Sequence, residues 1–228
     1  MLSHLHSNLR SHFGWLFFLG LVASLASGCA FTPIPLTLPE RGLDATISGG
    51  NGRSVAVVVP FADERKIRER CGMQKNGYGW DTAAALCQSD PAQWIARLLA
   101  AELRASACTV LAASAPREPG TLVIEGSLEK LFVEPVIGWW SGSLETDLQV
   151  KLVATSASGL RAERTFFVKG VQSGVLASTM QPFHSSLDRA TQQMVAEMVK
   201  AILALLDLHP QLGSAQLRDW SIIGTSRS

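Results

Sequence analysis

Leu144, Thr146, Leu148, Val150, Leu152 and Ala154 recur with a period of two, and Glu145, Asp147, Gln149 and Lys151 alternate with them. On extended chain that period puts the apolar side chains on one face and the charged ones on the other. A strand of this kind is half-buried, with one face in water and one face needing cover. It rules out an all-helical chain and demands a second layer. Ser156-Ala157-Ser158-Gly159 is a turn, and the run after it, about 162–173 with Phe166 and Val168, predicts a partner strand. Upstream, 121–134 reads as a longer strand with Leu122, Ile124 and Leu128 on one face and Gly126 as its expected bulge. Val55–Phe61 is a β-branched run of strand length, and Thr109-Val110-Leu111 a short strand.

Two segments can supply the cover. Asp90-Pro91 is a helix start, with Asp90 as N-cap and proline in the first turn. Trp94, Ile95, Leu98, Leu99 and Leu103 then recur at helical spacing. Leu187, Ala190, Met194, Met198, Ile202 and Leu205 form a second stripe over roughly 185–207, with Ser185 or Ser186 as its N-cap. The expected fold is therefore α+β: a two-layer sandwich over 54–208, its mainly antiparallel sheet packed by two helices. Residues 209–228 form a tail without periodicity.

The N-terminus is of a different kind. Residues 1–12 are polar, with Arg10 and three histidines, and 13–25 are almost wholly apolar. That run is shorter than the about 20 residues needed to cross a bilayer and suits the apolar region of a secretory signal. Ala26, Ser27, Gly28 and Cys29 follow at once. The stretch Leu-Ala-Ser-Gly-Cys resembles the lipobox of bacterial lipoproteins, although Ala26 stands three places before the cysteine where leucine is usual. The resemblance implies cleavage after residue 28, diacylglycerol on the Cys29 thiol and acylation of its new amine. Ala30 in second position implies sorting to the outer membrane, facing the periplasm. Residues 29–53 are expected to be the lipidated cysteine and an extended tether. Pro33, Pro35 and Pro39 oppose helix there, and Gly49-Gly50-Asn51-Gly52 breaks the chain again. The alternative is an extra edge strand around Asp44–Ser48.

Arg10 is the only lysine or arginine before Cys29, so 19 of the 20 basic residues follow it and balance the 19 acidic ones. A neutral mature chain lacks the basic surplus that nucleic-acid binding calls for.

Phe61-Ala62-Asp63-Glu64-Arg65 after the first strand, the strand Leu144–Ala154 with its turn, and a closing helix ending near Asp207 together resemble the YajG-like family of small bacterial lipoproteins. The resemblance covers about two thirds of the chain. It implies an envelope lipoprotein but no defined activity, and the cysteine-bearing segment 66–90 departs from the family pattern.

Cys71 and Cys87 share one polar segment of an exported protein, so a disulfide between them is expected, with Cys108 a buried free thiol. Three free thiols are the alternative. A metal site would have to recruit His184 and His209, both remote in sequence. Gly77-Tyr78-Gly79 lacks the third glycine of a nucleotide fingerprint and reads as loop. His184, Ser185, Ser186 and Asp188 contain triad residue types, but neighbours on one helix diverge. Asp63 and Arg65 read as a local ion pair or Asx-type turn. Trp139 and Trp140 are expected in the connection between strands, at least one of them exposed as a possible partner contact; the alternative folds both over the sheet edge. No catalytic set, metal or cofactor is indicated. The expected function is a lipid-anchored, non-catalytic binding or assembly module, with an envelope hydrolase or redox enzyme as the alternative.

Overall fold

The computed structural model describes residues 32–112, 120–137, 142–175 and 180–212. Its elements are β1 Ile34–Leu36, β2 Ser54–Val57, β3 Ala62–Asp63, β4 Gly72–Lys75, β5 Asp81–Cys87, α1 Pro91–Ala105, β6 Thr109–Ala112, β7 Leu122–Ile137, β8 Gly142–Ser156, β9 Arg161–Val175 and α2 Met180–Leu208. Cys29, Trp139 and Trp140 lie outside the described residues.

The long meander β7–β8–β9 is antiparallel throughout. Along β8 the alternation holds: Leu144, Thr146, Leu148, Val150, Leu152 and Ala154 are buried while their neighbours are not. The wet face is laced by cross-strand ion pairs, Lys130 with Asp147, Lys169 with Glu145 and Lys151 with Glu163. Both helices join one core with the other face of the sheet. The α+β class therefore stands.

The sheet is mixed: most of its pairing is antiparallel, as expected, but short parallel strands join it. The free edge of β7 takes three short strands in succession, all parallel to it: β2 at Leu122–Ile124, β3 at Ser127–Leu128 and β4 at Val133. β6 pairs in parallel with β2 and β1 in parallel with β5, while β4 and β5 form an antiparallel hairpin. Parallel neighbours need long connections, and the stretch holding α1 makes the crossover from β2 to β6. Periodicity reports which face of a strand is buried but not which strand lies beside it. The irregularity in β7 falls between Leu128 and Lys130, not at Gly126. Gly126 instead leaves room for buried Phe61, whose ring would lie 2.7 Å from an added Cβ.

Residues 32–53 are no free tether. Leu36 and Leu38 are buried, and β1 closes the sheet beside β5. The Trp94 indole N–H donates to the Pro39 carbonyl at 2.7 Å. Farther along, the Leu43 amide donates to Glu102, Arg41 binds Asp188, and the Asp44 amide and Gly42 carbonyl both bond Gln192. Prolines block helix there but permit an edge strand and a strap across α1 and α2. Asp44–Ser48 forms no strand.

The second helix begins at Met180, before the serines expected to cap it. Ser186 is buried inside it, its hydroxyl 2.9 Å from that of Thr146 and 3.2 Å from the Phe183 carbonyl. This is how a threonine is accommodated on the apolar face of β8: its hydroxyl has a partner.

Candidate functional site

The β4–β5 hairpin is built from the base up. Arg65 is 5% exposed, and its guanidinium makes two bonds of 2.9 Å to the Asp63 carboxylate. The Arg65 amide also donates to Asp63, so the pair is at once an ion pair and an Asx-type turn. The same guanidinium reaches the carbonyls of Arg68 and Arg70 and the sulfur of Cys71. It thereby fixes the loop that leads into β4. Desolvation pushes the Asp63 carboxyl up, but the bonds from Arg65 outweigh it and hold the group below the usual carboxylate range.

Cys71 is joined to Cys87 across the base of the hairpin, with Cα atoms 5.6 Å apart. Lys75 pairs with Glu134 of β7. At the tip, Asn76 organises the turn: its side-chain oxygen accepts from the amides of Tyr78 and Trp80 at 3.0 and 3.1 Å. Its own amide donates to the Trp80 carbonyl, and its carbonyl accepts from Gly79, which holds φ +83°. Tyr78 and Trp80 therefore stand on a fixed turn, 86% and 72% exposed, their ring centroids 6.1 Å apart. Val136 and Ile137 are exposed at the end of β7 toward which the parallel β4 also runs. An aromatic pair presented this way has the chemistry of a contact surface: apolar rings, each with one polar atom, already ordered.

No periodic pattern marks this pair in the sequence. Tyr78 lies in a segment recognisable only as loop, and the signal that would have found it is an aromatic residue between two glycines inside a cysteine-closed loop.

A family model described as uncharacterized lipoprotein matches residues 46–201. The chain belongs to this lipoprotein family. It is the YajG-like group, and the match spans β2 through most of α2, including the cysteine-bearing hairpin. Among solved structures, the lipoprotein fold is similar to a DUF330-family protein from Xanthomonas campestris, at 10% identity and TM-score 0.56, covering 78% of this chain and 98% of that one. That likeness is one of fold. A protein described as a neuraminyllactose-binding hemagglutinin homolog from Helicobacter pylori matches at 11% identity and TM-score 0.46, covering 77% and 97%. Comparison with curated proteins yields no match.

The other candidates in this lipoprotein are engaged structurally. The triad residue types are drawn apart: Ser186 is turned into the core against Thr146, and Asp188 is bound by Arg41. Cys108 is buried, and desolvation pushes its thiol up, with Arg53 partly offsetting the rise. Among the described residues no group of His, Cys, Asp and Glu stands together as metal ligands. Among them, too, no helix is long and apolar enough to cross a membrane. An apolar cleft of about 200 Å³ opens between β8, β9 and α2 beside Leu152, Phe166, Ile202 and Leu205. Arg164 lies over the Phe166 ring at its rim.

Proposed function

We propose that the protein is a non-catalytic binding or assembly module of the cell envelope, held by lipid on Cys29 to the outer membrane and facing the periplasm. Membership of a lipoprotein family carries this reading, and the Leu-Ala-Ser-Gly-Cys stretch supplies the attachment point. The residues that look like chemistry in the sequence support a binding role rather than an enzyme. Cys71 and Cys87 staple a hairpin, Ser186 satisfies Thr146, and Asp188 holds the N-terminal strap. Trp139 and Trp140 are the proposed contact for a protein partner. Their support is the sequence Pro135-Val136-Ile137-Gly138-Trp139-Trp140-Ser141-Gly142, which interrupts two long strands with adjacent indoles.

A photo-crosslinking residue at position 139 of the lipidated protein, activated in intact envelopes, tests the binding role. One discrete adduct, competed by the unmodified protein, is the expected result. Crosslinking to bulk envelope protein without competition would remove the partner contact from the account.

A further inference from the structure

We propose that the Tyr78–Trp80 tip is a second membrane contact, seated in the headgroup layer of the same bilayer that holds Cys29. The proposal rests on the anchoring role above and adds to it where the domain touches the lipid. Its basis is a register. β1 runs parallel to β5, with Ile34 beside Ala85 and Leu36 beside Cys87. β5 leads away from the hairpin tip, so the chain that precedes β1 comes in from the tip side. Cys29 stands five positions before Ile34, and Trp80 five positions before Ala85. Five residues of extended chain reach at most about 17 Å, which is also about the distance the paired strand covers back to Trp80. A lipid on Cys29 is therefore attached within about 17 Å of Ile34, on a chain that enters β1 from the tip side.

The chemistry at that end fits a bilayer surface. Tryptophan and tyrosine favour the headgroup zone, where the ring is apolar and the indole N–H or phenol O–H stays wet. Val136 and Ile137 add exposed apolar surface on the adjoining strand, and Lys75 is neutralised by Glu134. Asp81, the exposed neighbour of Trp80, sets a shallow depth, since a carboxylate stays in water. The disulfide and the Asn76 turn hold the rings in place before contact, so little order is lost on docking. The mature chain is formally neutral, so rings rather than charge would orient it. With the tip down, the strands stand away from the membrane, and the Ser156–Gly159 turn and the apolar cleft face outward.

The test uses the lipidated mature protein in phosphatidylethanolamine–phosphatidylglycerol vesicles, with and without lipid brominated near the headgroups. Subtracting the fluorescence of Trp80→Phe isolates Trp80, and the substitution is at an exposed site, so folding is kept. The Trp80 component should shift to the blue and lose intensity on brominated lipid, as a ring at headgroup depth does. Tyr78→Ser should reduce that quenching by loosening the seat. If Trp80 stays unshifted, unquenched by bromine and open to acrylamide while Cys29 carries its acyl chains, the tip contact is overturned and the anchor stands. If Cys29 carries no lipid, both fall together. Shielding of Trp80 without vesicles that rises with protein concentration would mean a second copy as occupant, and shielding only after adding soluble envelope protein would mean a protein partner. Either result overturns the proposal.

Discussion

Ile34 and Ala85 are neighbours on parallel strands, and Ala85 is fully buried beneath the pairing. The segment that leads in from Cys29 is thus part of the sheet. Leu36, 1% exposed, is its main apolar anchor. Leu36→Ala should cost about 2–4 kcal/mol in urea unfolding, the range for a buried leucine. A free tether would leave the midpoint unchanged.

The Cys71–Cys87 bridge closes a loop across a sequence separation of 16. Closing a loop of that size stabilises by about 3 kcal/mol in the chain-entropy account. The double variant Cys71→Ser with Cys87→Ser should lose that amount. Reductant should bring the wild type down to the variant and leave the variant where it is. Equal sensitivity of both to reductant would place the effect elsewhere.

Arg65 is buried against a carboxylate that keeps part of its surface in water. Arg65→Ala strips Asp63 of its partner and frees the loop before β4, and should cost roughly 3 kcal/mol at pH 7. The sign of the pH dependence follows from Asp63. Its native carboxyl lies below the usual range, so its contribution is complete above the unfolded pKa, near about 4, and is lost as pH falls through the lower native value. Asp63→Asn should therefore be less stable than wild type at neutral pH, and the gap should close below about pH 4. A gap that widened in acid would contradict the assignment.

Gly170 is where β9 touches the backbone of α2. A Cβ there would stand 2.1 Å from the Ser186 carbonyl and 2.8 Å from the Ala190 amide. Neither backbone can yield without moving the helix off the sheet. Gly170→Ala should lower stability by about 2 kcal/mol or more, seen as an earlier thermal midpoint with secondary structure retained below it. Unchanged melting would mean that the helix packs farther out.

The parts of this fold legible in the sequence are those that local period encodes. The alternation in β8 and the helical stripes from Trp94 and from Leu187 state which faces are buried, and the structure buries those faces. Asp90 is legible as a cap for the same local reason; its carboxylate accepts from Ala92 and Gln93. Long-range pairing is not encoded that way. Three short parallel strands along one edge of β7 leave no periodic trace, and β1 hides among prolines that suggest loop. Ser185 and Ser186 look like caps because hydroxyls favour helix starts. Buried Ser186 bonds instead to Thr146, a partner distant in sequence. The Tyr78–Trp80 tip escapes the sequence because exposure of a loop residue is decided by the turn that holds it. Here Asn76 makes that turn.

Lipid attachment at Cys29 is the centre of the account, and intact mass analysis of protein extracted from membranes tests it most directly. The wild type should begin at Cys29 and carry the added mass of its acyl chains. Cys29→Ser should retain residues 1–28 and carry no lipid. A wild-type chain with unmodified Cys29, or a variant processed and lipidated like the wild type, would contradict it.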